Sequence, residues 1–273
     1  MSYQTILVNK NEGVTTITFN RPEKKNAMSP QFHLEMRDVL QELKYDDETR
    51  VVVLTGAGDS FCAGQDLKQY FYELDDNPTA RAQAREAAAQ WRAYNLRLFP
   101  KPTIAAINGW CFGGAFTIVS SCDFAIASKK AKFGLSEVNF GKIAGGHVTK
   151  VVSEYFHPRD AMYYLLTGEA FDAEKAAKVK FVTKTVEHED LWPTVNELAN
   201  TLKKKNPIVL QMIKEAYRHI SYMSYEEAGA YLTAKSAELE GRSDNTWKVG
   251  VEQFQAGQFR PGLGTYEWQQ KGS

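Results

Sequence analysis

The hydrophobic positions of the first part of the chain alternate between strand and helix spacing. Two β-rich runs, at 5–9 and Val14–Phe19, flank an Asn- and Gly-containing turn, which predicts an opening hairpin. From Ser29, an N-cap residue followed by proline, apolar residues recur at helical spacing up to Leu43. The continuously apolar run at 51–54 is typical of a short strand that is buried on both faces.

The same alternation continues to about residue 127. A Gly-rich loop at 55–64 leads into an Ala-rich helical stretch at about 79–98, and a strand follows at Thr103–Ile107. A second Gly-rich turn opens a short helix at 113–121, and another strand is predicted at 124–127. Strands that alternate with helices favour right-handed crossovers and a largely parallel sheet, so the sequence predicts an α/β fold.

Helical patterns follow one another after about residue 145, with one strand-like run at 181–186 among them. We therefore expect a core over residues 1–190 and a helical C-terminal region over residues 191–273, which packs on the core or on another subunit. The helices are predicted at 148–156, 160–166, 173–179, 191–204, 207–217 and 225–240.

The composition is that of an ordinary globular protein. The chain has 273 residues, with 33 Lys and Arg against 33 Asp and Glu, so its bulk charge favours no nucleic-acid partner. Cys62, Cys111 and Cys122 include no CxxC pair and indicate a reducing compartment. The first residues lack the pattern of a signal peptide, and no apolar run approaches the ~18 residues of a membrane span. We expect a cytoplasmic protein without a membrane partner.

Several common catalytic motifs do not fit the sequence. Gly56 and Gly58 match only the first half of a dinucleotide-binding GxGxxG, because Phe61 occupies the third glycine position. Neither GxxxxGK[ST] nor GxSxG occurs, and the five histidines lack HExxH or another zinc-ligand spacing. The sequence thus gives no support for a nicotinamide enzyme, a P-loop ATPase, a serine hydrolase or a metal enzyme.

Two predicted strands, 51–54 and Thr103–Ile107, end in similar loops, in which glycines precede a helix start. Backbone N–H groups at a helix start are unpaired and lie at the positive end of the helix dipole, which suits an anionic oxygen. If the strands are neighbours in a parallel sheet, both loops lie at its carboxyl edge and two N–H donors can form an oxyanion hole. Taken singly, each loop is more often a structural connection than a catalytic one.

Taken together and in order, these loops resemble those of the crotonase (enoyl-CoA hydratase/isomerase) family, whose members hold the enolate of a CoA thioester between two peptide N–H groups. The resemblance extends over about residues 14–210. It is carried by the segments NRPEKKNA (20–27), FCAGQDLK (61–68), KPTIAAING (101–109), GG (113–114), CDFAIA (122–127) and FGLSE (133–137).

This resemblance implies a crotonase-type spiral of ββα units with a helical C-terminal region that forms homotrimers or dimers of trimers. It implies no cofactor beyond the coenzyme A of the substrate and product. The oxyanion donors would be the backbone N–H groups of Gln65 and Gly114. The coenzyme A contacts would be Lys24 at the nucleotide end, Ala63 and Leu67 around the adenine and pantetheine, and Ser136.

The acid and base residues decide which reaction a crotonase performs. Enoyl-CoA hydratases carry two glutamates, of which this chain has the second, Glu137, while Thr117 occupies the position of the first. By the resemblance, Glu137 is the single titrating group, which can activate a water and return a proton to Cα, and Thr117 offers a neutral hydroxyl. A loop glutamate in a surface salt bridge is the plainer alternative for Glu137.

The motifs are most similar to those of hydroxycinnamoyl-CoA (feruloyl-CoA) hydratase-lyases, which hydrate the side-chain double bond and cleave the product into an aromatic aldehyde and acetyl-CoA. The shared segments are NAMSP (26–30), LTGAG (54–58), DLKQYF (66–71), QW (90–91), GWCFGG (109–114), GLSE (134–137) and KNP (205–207). The resemblance implies that Tyr70 contacts the phenol. It also predicts substrate contacts at Phe140 and Thr233, where that subfamily usually has Trp and Tyr. Met is usual at Gln65, where only the backbone is required.

Two other functions remain open on the sequence. The chain could be a different crotonase that acts on another acyl-CoA as hydratase, isomerase or thioesterase. It could also be a non-catalytic or RNA-binding relative, although the balanced charge and the retained Glu137 argue against this.

Overall fold

The computed structural model describes residues 3–243 and 247–258, which form two β-sheets surrounded by helices. The strands are β1 (Ile6–Asn11), β2 (Val14–Phe19), β3 (Val51–Gly56), β4 (Ser60–Cys62), β5 (Thr103–Ile107), β6 (Trp110–Phe112), β7 (Phe124–Ser128), β8 (Lys132–Gly134), β9 (Ala170–Asp172) and β10 (Lys184–Val186). The larger sheet has the order β1-β2-β3-β5-β7-β10 and the smaller one β4-β6-β8-β9.

The helices α1 to α6 surround the sheets, and α7 to α10 follow the last strand. Two π-helical segments, Leu67–Tyr72 and Gln90–Asn95, and two 3-10 turns, Pro22–Lys24 and Ser136–Phe140, lie between them. The helices are α1 (Pro30–Lys44), α2 (Pro78–Ala89), α3 (Ala115–Ser121), α4 (Val148–Tyr155), α5 (Pro158–Thr167), α6 (Ala173–Lys178), α7 (Leu191–Lys203), α8 (Pro207–Ile220), α9 (Tyr225–Arg242) and α10 (Trp247–Gln255).

The hairpin and the parallel core of the larger sheet confirm the predicted pattern. Strands β1 and β2 pair antiparallel, and β2, β3, β5, β7 and β10 pair in parallel. The Ser29 side chain caps α1 by accepting a hydrogen bond from the Phe32 N–H, and every residue of β3 is buried. Alternate β3 side chains face opposite sides of the sheet, where both faces are covered.

The smaller sheet was not predicted from the sequence. Its four strands have three residues each, which is too short for a pattern of alternating hydrophobicity to show. The prediction of one strand-like run after residue 145 was wrong, because β9 also lies there. The run at 181–186 contains only β10, since the Phe181 N–H instead bonds the Ala176 carbonyl in a buried turn.

Helix α7 covers one face of the larger sheet. Its side chains Leu191, Val195 and Ala199 pack on alternate residues of β3, β5 and β7. Helix α9, by contrast, has no buried residue, and it pairs with α8. None of the helices in the described ranges is long and apolar enough to cross a membrane.

Candidate active site

The loops after β3 and β5 meet at the carboxyl edge of the larger sheet, as the sequence predicted. Val52 pairs with Thr103 in the parallel register of these strands. Beyond the strand ends, the Asn108 side-chain amide donates to the carbonyls of Gly56 and Gly58, both at 2.9 Å. This side chain therefore extends the contact between the strands into the two loops and holds them together.

A cleft of about 860 Å³ opens between these loops. It contains nine of the eleven residues that the sequence singled out. They are Lys24, Ala63, Gln65, Leu67, Tyr70, Gly114, Ser136, Glu137 and Phe140. The volume and the convergence of apolar walls with a few polar groups are typical of a small-molecule site.

The backbone around Gln65 is arranged so that its N–H group faces away from its neighbouring strand. The Gly64 carbonyl accepts from the Met28 N–H at 2.8 Å, and the Asp66 N–H donates to the Met28 carbonyl at 2.9 Å. Because successive N–H groups of an extended segment alternate in direction, the N–H of Gln65 points to the other side. No backbone acceptor in the described ranges pairs with it or with the N–H of Gly114.

These two N–H groups belong to closely packed segments. A Cβ atom placed on Gly64 would lie 3.5 Å from the Gly114 nitrogen, and one placed on Gly114 would lie 3.9 Å from Gln65 Cγ. Gly114 also caps α3, so its N–H lies at the positive end of a short helix. Two unpaired donors this close together can bind one negatively charged oxygen.

Glu137 brings a carboxyl group to the same region. It lies in the 3-10 turn Ser136–Phe140, and its Oε1 would be only 2.8 Å from a Cβ atom on Gly113. Its Oε2 is buried without a hydrogen-bond partner among the residues that the structure describes. Burial raises the pKa of Glu137 above its ordinary value of 4.5. A desolvated carboxyl of this kind is suited to accept and return protons, and it is not the surface ion pair of the plainer alternative.

Thr117 and Thr233 do not line the cleft. The Thr117 side chain is 2% exposed and donates to the Gly146 carbonyl at 2.8 Å, so it anchors the loop after Glu137. Thr233 lies on the outer helix α9, where its hydroxyl donates to the Gly229 carbonyl of its own helix at 2.9 Å. Neither hydroxyl therefore lies in the wall of the cleft of its own chain.

A buried hydrogen-bonded chain supports Gln65, and sequence reasoning missed it. The Trp91 Nε1–H donates to His33 Nδ1 at 2.9 Å, and His33 Nε2 lies 2.8 Å from Gln65 Oε1. Because Nδ1 accepts, a neutral His33 carries its proton on Nε2 and donates it to Gln65. Burial, assisted by Arg92, lowers the pKa of His33 to about 3, so the ring is neutral at physiological pH. The sequence did contain an indication that His33 is buried, since it lies on the same apolar face of α1 as Met36 and Leu40.

Arg92 also lines the cleft although the sequence gave no indication of it. Arg92 lies in the π-helical segment Gln90–Asn95, on the face of the buried Ala84 and Ala88, and is 5% exposed. The other π-helical segment, Leu67–Tyr72, carries Leu67 and Tyr70 into the cleft. Such local irregularities of a helix are frequent at functional sites.

Exposed lysines surround the mouth of the cleft. They are Lys24, Lys25, Lys68 and Lys142. The Lys25 Nζ lies 4.0 Å from the centre of the Trp110 ring and the Lys142 Nζ 4.8 Å from that of Phe71, so two of these cations lie on aromatic walls. This charge suits an entering phosphorylated group. Within the described ranges, no group of three or more His, Cys, Asp and Glu side chains could hold a metal ion.

Known proteins are similar to this chain in sequence and in structure. The chain is 39% identical over 272 residues to the hydroxycinnamoyl-CoA hydratase-lyase of Pseudomonas fluorescens, covering 97% of each protein. It is 32% identical to a probable enoyl-CoA hydratase of Mycobacterium bovis, over 85% of this chain and 88% of that protein. The crystal structure of an enoyl-CoA hydratase from Geobacillus kaustophilus superimposes with a TM-score of 0.83 at 29% identity, covering 93% of this chain and 96% of the other.

The structural match confirms the predicted crotonase-type α/β fold. The sequence pattern of the family described as enoyl-CoA hydratase/isomerase matches residues 9–255, which include both loops, Glu137 and the rim of the cleft. The chain therefore belongs to the enoyl-CoA hydratase/isomerase (crotonase) family and is a CoA-thioester hydratase/lyase.

Proposed function

We propose that this enzyme hydrates 4-hydroxycinnamoyl-CoA thioesters, such as feruloyl-CoA, and cleaves the hydrated product into an aromatic aldehyde and acetyl-CoA. The observation that carries the proposal is the carboxyl of Glu137, whose Oε2 is buried without a partner among the described residues, in the same cleft as the unpaired N–H groups of Gln65 and Gly114. The identity to the Pseudomonas fluorescens hydratase-lyase over almost the whole chain supports the choice of substrate.

In the hydration step, the Glu137 carboxylate takes a proton from a water molecule whose oxygen bonds to Cβ. The electrons of the double bond move toward the thioester, whose oxygen gains negative charge between the N–H groups of Gln65 and Gly114. Protonated Glu137 then returns the proton to Cα, which gives the β-hydroxy thioester. The buried position of the carboxyl favours its protonated intermediate state.

In the cleavage step, the same carboxylate takes the proton of the β-hydroxyl. The bond between Cα and Cβ breaks, a carbonyl forms at Cβ, and the electron pair passes to the thioester enolate, which the same two N–H groups stabilise. Protonation of Cα by Glu137 yields acetyl-CoA. The two steps involve no net oxidation or reduction, and we propose no cofactor beyond the coenzyme A of the thioester.

The cleft walls suggest how such a thioester would be bound. The exposed Lys24 would contact the nucleotide phosphates, and Ala63, Leu67 and Ser136 the remainder of coenzyme A. Tyr70 is 8% exposed and packs on His33, and burial raises its pKa, so it stays a phenol that can hydrogen-bond the aryl oxygen. Phe140 supplies an apolar wall.

We also propose that the chain acts in the cytoplasm as a homotrimer or a dimer of trimers. Helix α9, without a buried residue, and the exposed apolar side chains Ile213 and Tyr217 of α8 provide surface that a second subunit could cover. Sedimentation of the purified protein tests the oligomeric state.

The test of the function is to incubate the protein separately with 4-hydroxycinnamoyl-CoA and with crotonyl-CoA. We expect the first to lose its thioester conjugation and to release one aldehyde per acetyl-CoA, and Glu137→Gln to abolish both signals. Loss of crotonyl-CoA conjugation without aldehyde from the aryl substrate would instead show a hydratase of another acyl-CoA, as the likeness to the Mycobacterium bovis protein would suggest.

A further inference from the structure

Arg92 is a buried cation for which the described part of the chain provides no anionic partner. Its side chain is 5% exposed and takes part in no ion pair between described residues. The guanidinium Nε–H donates to the Ala88 carbonyl at 3.1 Å, and Nη1 donates to the Gly114 carbonyl over a long 3.4 Å. Both acceptors are neutral, so they do not compensate the charge.

The two carboxyls that line the same cleft, Asp66 and Glu137, form no ion pair with Arg92 in the described part of the chain, and Asp66 pairs instead with Arg21. The titratable groups that interact with Arg92 are uncharged near neutral pH. They are Tyr70, Cys62 and His33. Burial raises the pKa of Cys62 to about 12 and that of Tyr70 above its ordinary value, and the low pKa of His33 keeps its ring neutral. Arg85, which also acts on Tyr70, is a further cation. An arginine keeps its proton even when buried, so the positive charge of Arg92 has no compensating anion paired with it among the described residues.

The guanidinium lies in the wall of the cleft. A Cβ atom on Gly114 would meet Arg92 Nη1 at 2.8 Å, and one on Gly146 would meet Nη2 at 3.2 Å. The absence of side chains at these two glycines therefore leaves room for the guanidinium beside the oxyanion donor of Gly114. Within one chain Thr233 lies outside the cleft, whereas Arg92 lines it.

We propose that Arg92 binds the 4-oxygen of a hydroxycinnamoyl thioester in its ionised, phenolate form, together with Tyr70. This inference rests on the proposed function. On binding, the phenol O–H bond breaks, its proton passes to solvent, and the guanidinium keeps all its protons, so that no oxidation or reduction occurs. A nearby cation lowers the pKa of a phenol because it stabilises the charged form.

The ionised oxygen is conjugated through the ring with Cβ, where the aldehyde carbonyl forms during cleavage. Electron donation from the 4-oxygen therefore stabilises that carbonyl as the bond between Cα and Cβ breaks. A neutral phenol also passes the aromatic walls of the cleft without the desolvation cost of a permanent anion, since it ionises only beside Arg92. This favours a phenolate over a carboxylate as the partner of Arg92.

The experiment measures the absorption of bound substrate in the Glu137→Gln background, where turnover is blocked. Ionisation of a conjugated phenol moves its absorption to longer wavelength, so the band reports the protonation state directly. The probes are 4-hydroxy-, 4-methoxy- and 4-carboxycinnamoyl-CoA. The variants are Arg92→Gln, Arg92→Lys and the control Arg85→Gln, which removes an exposed cation that also acts on Tyr70. Thermal unfolding checks that each variant is folded.

We expect the phenolate band at neutral pH in the parent and in Arg85→Gln, and a shift of its titration to higher pH in Arg92→Gln, with partial recovery in Arg92→Lys. The Kd of the 4-hydroxy probe should rise about tenfold or more in Arg92→Gln, and that of the 4-methoxy probe should stay within about twofold. An unchanged band in Arg92→Gln, or tighter binding of the 4-carboxy probe than of the 4-hydroxy probe, overturns the inference. Failure of the wild-type enzyme to cleave any 4-hydroxycinnamoyl-CoA overturns the proposed function itself.

Discussion

Replacement of Gly113 by alanine tests whether the reaction depends on the position of the Glu137 carboxyl, because it displaces this group without changing its chemistry. A Cβ atom at residue 113 would lie 2.8 Å from Glu137 Oε1, whereas ordinary contacts begin at 3.4 Å, so the carboxyl must move by about 0.6 Å. The backbone at Gly113 also has φ +51°, a left-handed conformation that costs an alanine about 1–2 kcal/mol. We therefore expect a moderate loss of stability together with a loss of turnover.

The size of the loss in turnover follows from the displacement. Because a misplacement near 1 Å can cost about a hundredfold in rate, we expect kcat of Gly113→Ala to fall about tenfold to a hundredfold. Steady-state kinetics on 4-hydroxycinnamoyl-CoA measure kcat, and urea unfolding measures the free energy of unfolding. The affinity for free coenzyme A should be unchanged, since the lysines at the mouth are not affected.

The matched control is Gly141→Ala. Gly141 has φ +66°, close to that of Gly113, but a Cβ atom there would have no neighbour within 4 Å. The control should lose similar stability and keep kcat within about threefold of wild type. Equal losses of kcat in both variants would attribute the effect to the backbone. Wild-type turnover in Gly113→Ala would show that the reaction does not depend on the carboxyl in this position.

Four further predictions concern the same site. Glu137→Gln should lower kcat about a hundredfold or more, and a value within about threefold of wild type would assign the proton transfers elsewhere. Since the pKa of folded Glu137 lies above 4.5, its contribution to the free energy of unfolding is complete below pH 4.5 and is lost as the pH rises through the raised pKa. Glu137→Gln should therefore unfold at a higher urea concentration than wild type at pH 7. This difference should disappear below pH 4.5. Gln65→Met should keep most of the activity, because only the main chain of residue 65 faces the oxygen, but it should cost about 1–3 kcal/mol of stability through the unpaired His33 N–H. Gly114→Pro should abolish activity, because it removes an N–H donor. Equal loss of activity in these two variants would mean that the Gln65 side chain contacts substrate. Because the pKa of His33 is lowered from 6.5 to about 3, its contribution to stability is present above pH 6.5 and is lost as the pH falls toward 3. His33→Asn should therefore flatten the acid side of the plot of unfolding free energy against pH. An unchanged plot would show that His33 does not titrate on unfolding.

The sequence predicted those parts of the molecule that depend on local pattern. Apolar periodicity and the Ser29 cap located α1, and β5 was predicted with its observed bounds. The smaller sheet was missed because three-residue strands are stabilised by long-range pairing, as between Cys111 and Phe133, and not by a local pattern.

The residues of the candidate site also divide into those that contiguous motifs predict and those that depend on contacts between distant parts of the chain. The glycine loops and Glu137 could be identified from the order of motifs, since each motif is contiguous in the sequence. Arg92 could not, because it lies beside glycines that are distant in the chain, Gly114 and Gly146. The resemblance predicted a substrate contact from Thr233, whereas α9 places this residue outside the cleft of its own chain.

The Asn108 amide, which joins the loops after β3 and β5, has an evolutionary consequence. The loops that carry the proposed oxyanion donors follow strands of the buried sheet, and that side chain links the two loops at the strand ends. The acyl wall is built from different segments, namely the π-helical turn that carries Arg92 and the loop that Thr117 anchors at Gly146. Mutations can therefore remodel what the enzyme selects while leaving enolate stabilisation intact, so that new specificities can arise within this scaffold without passing through an inactive ancestor.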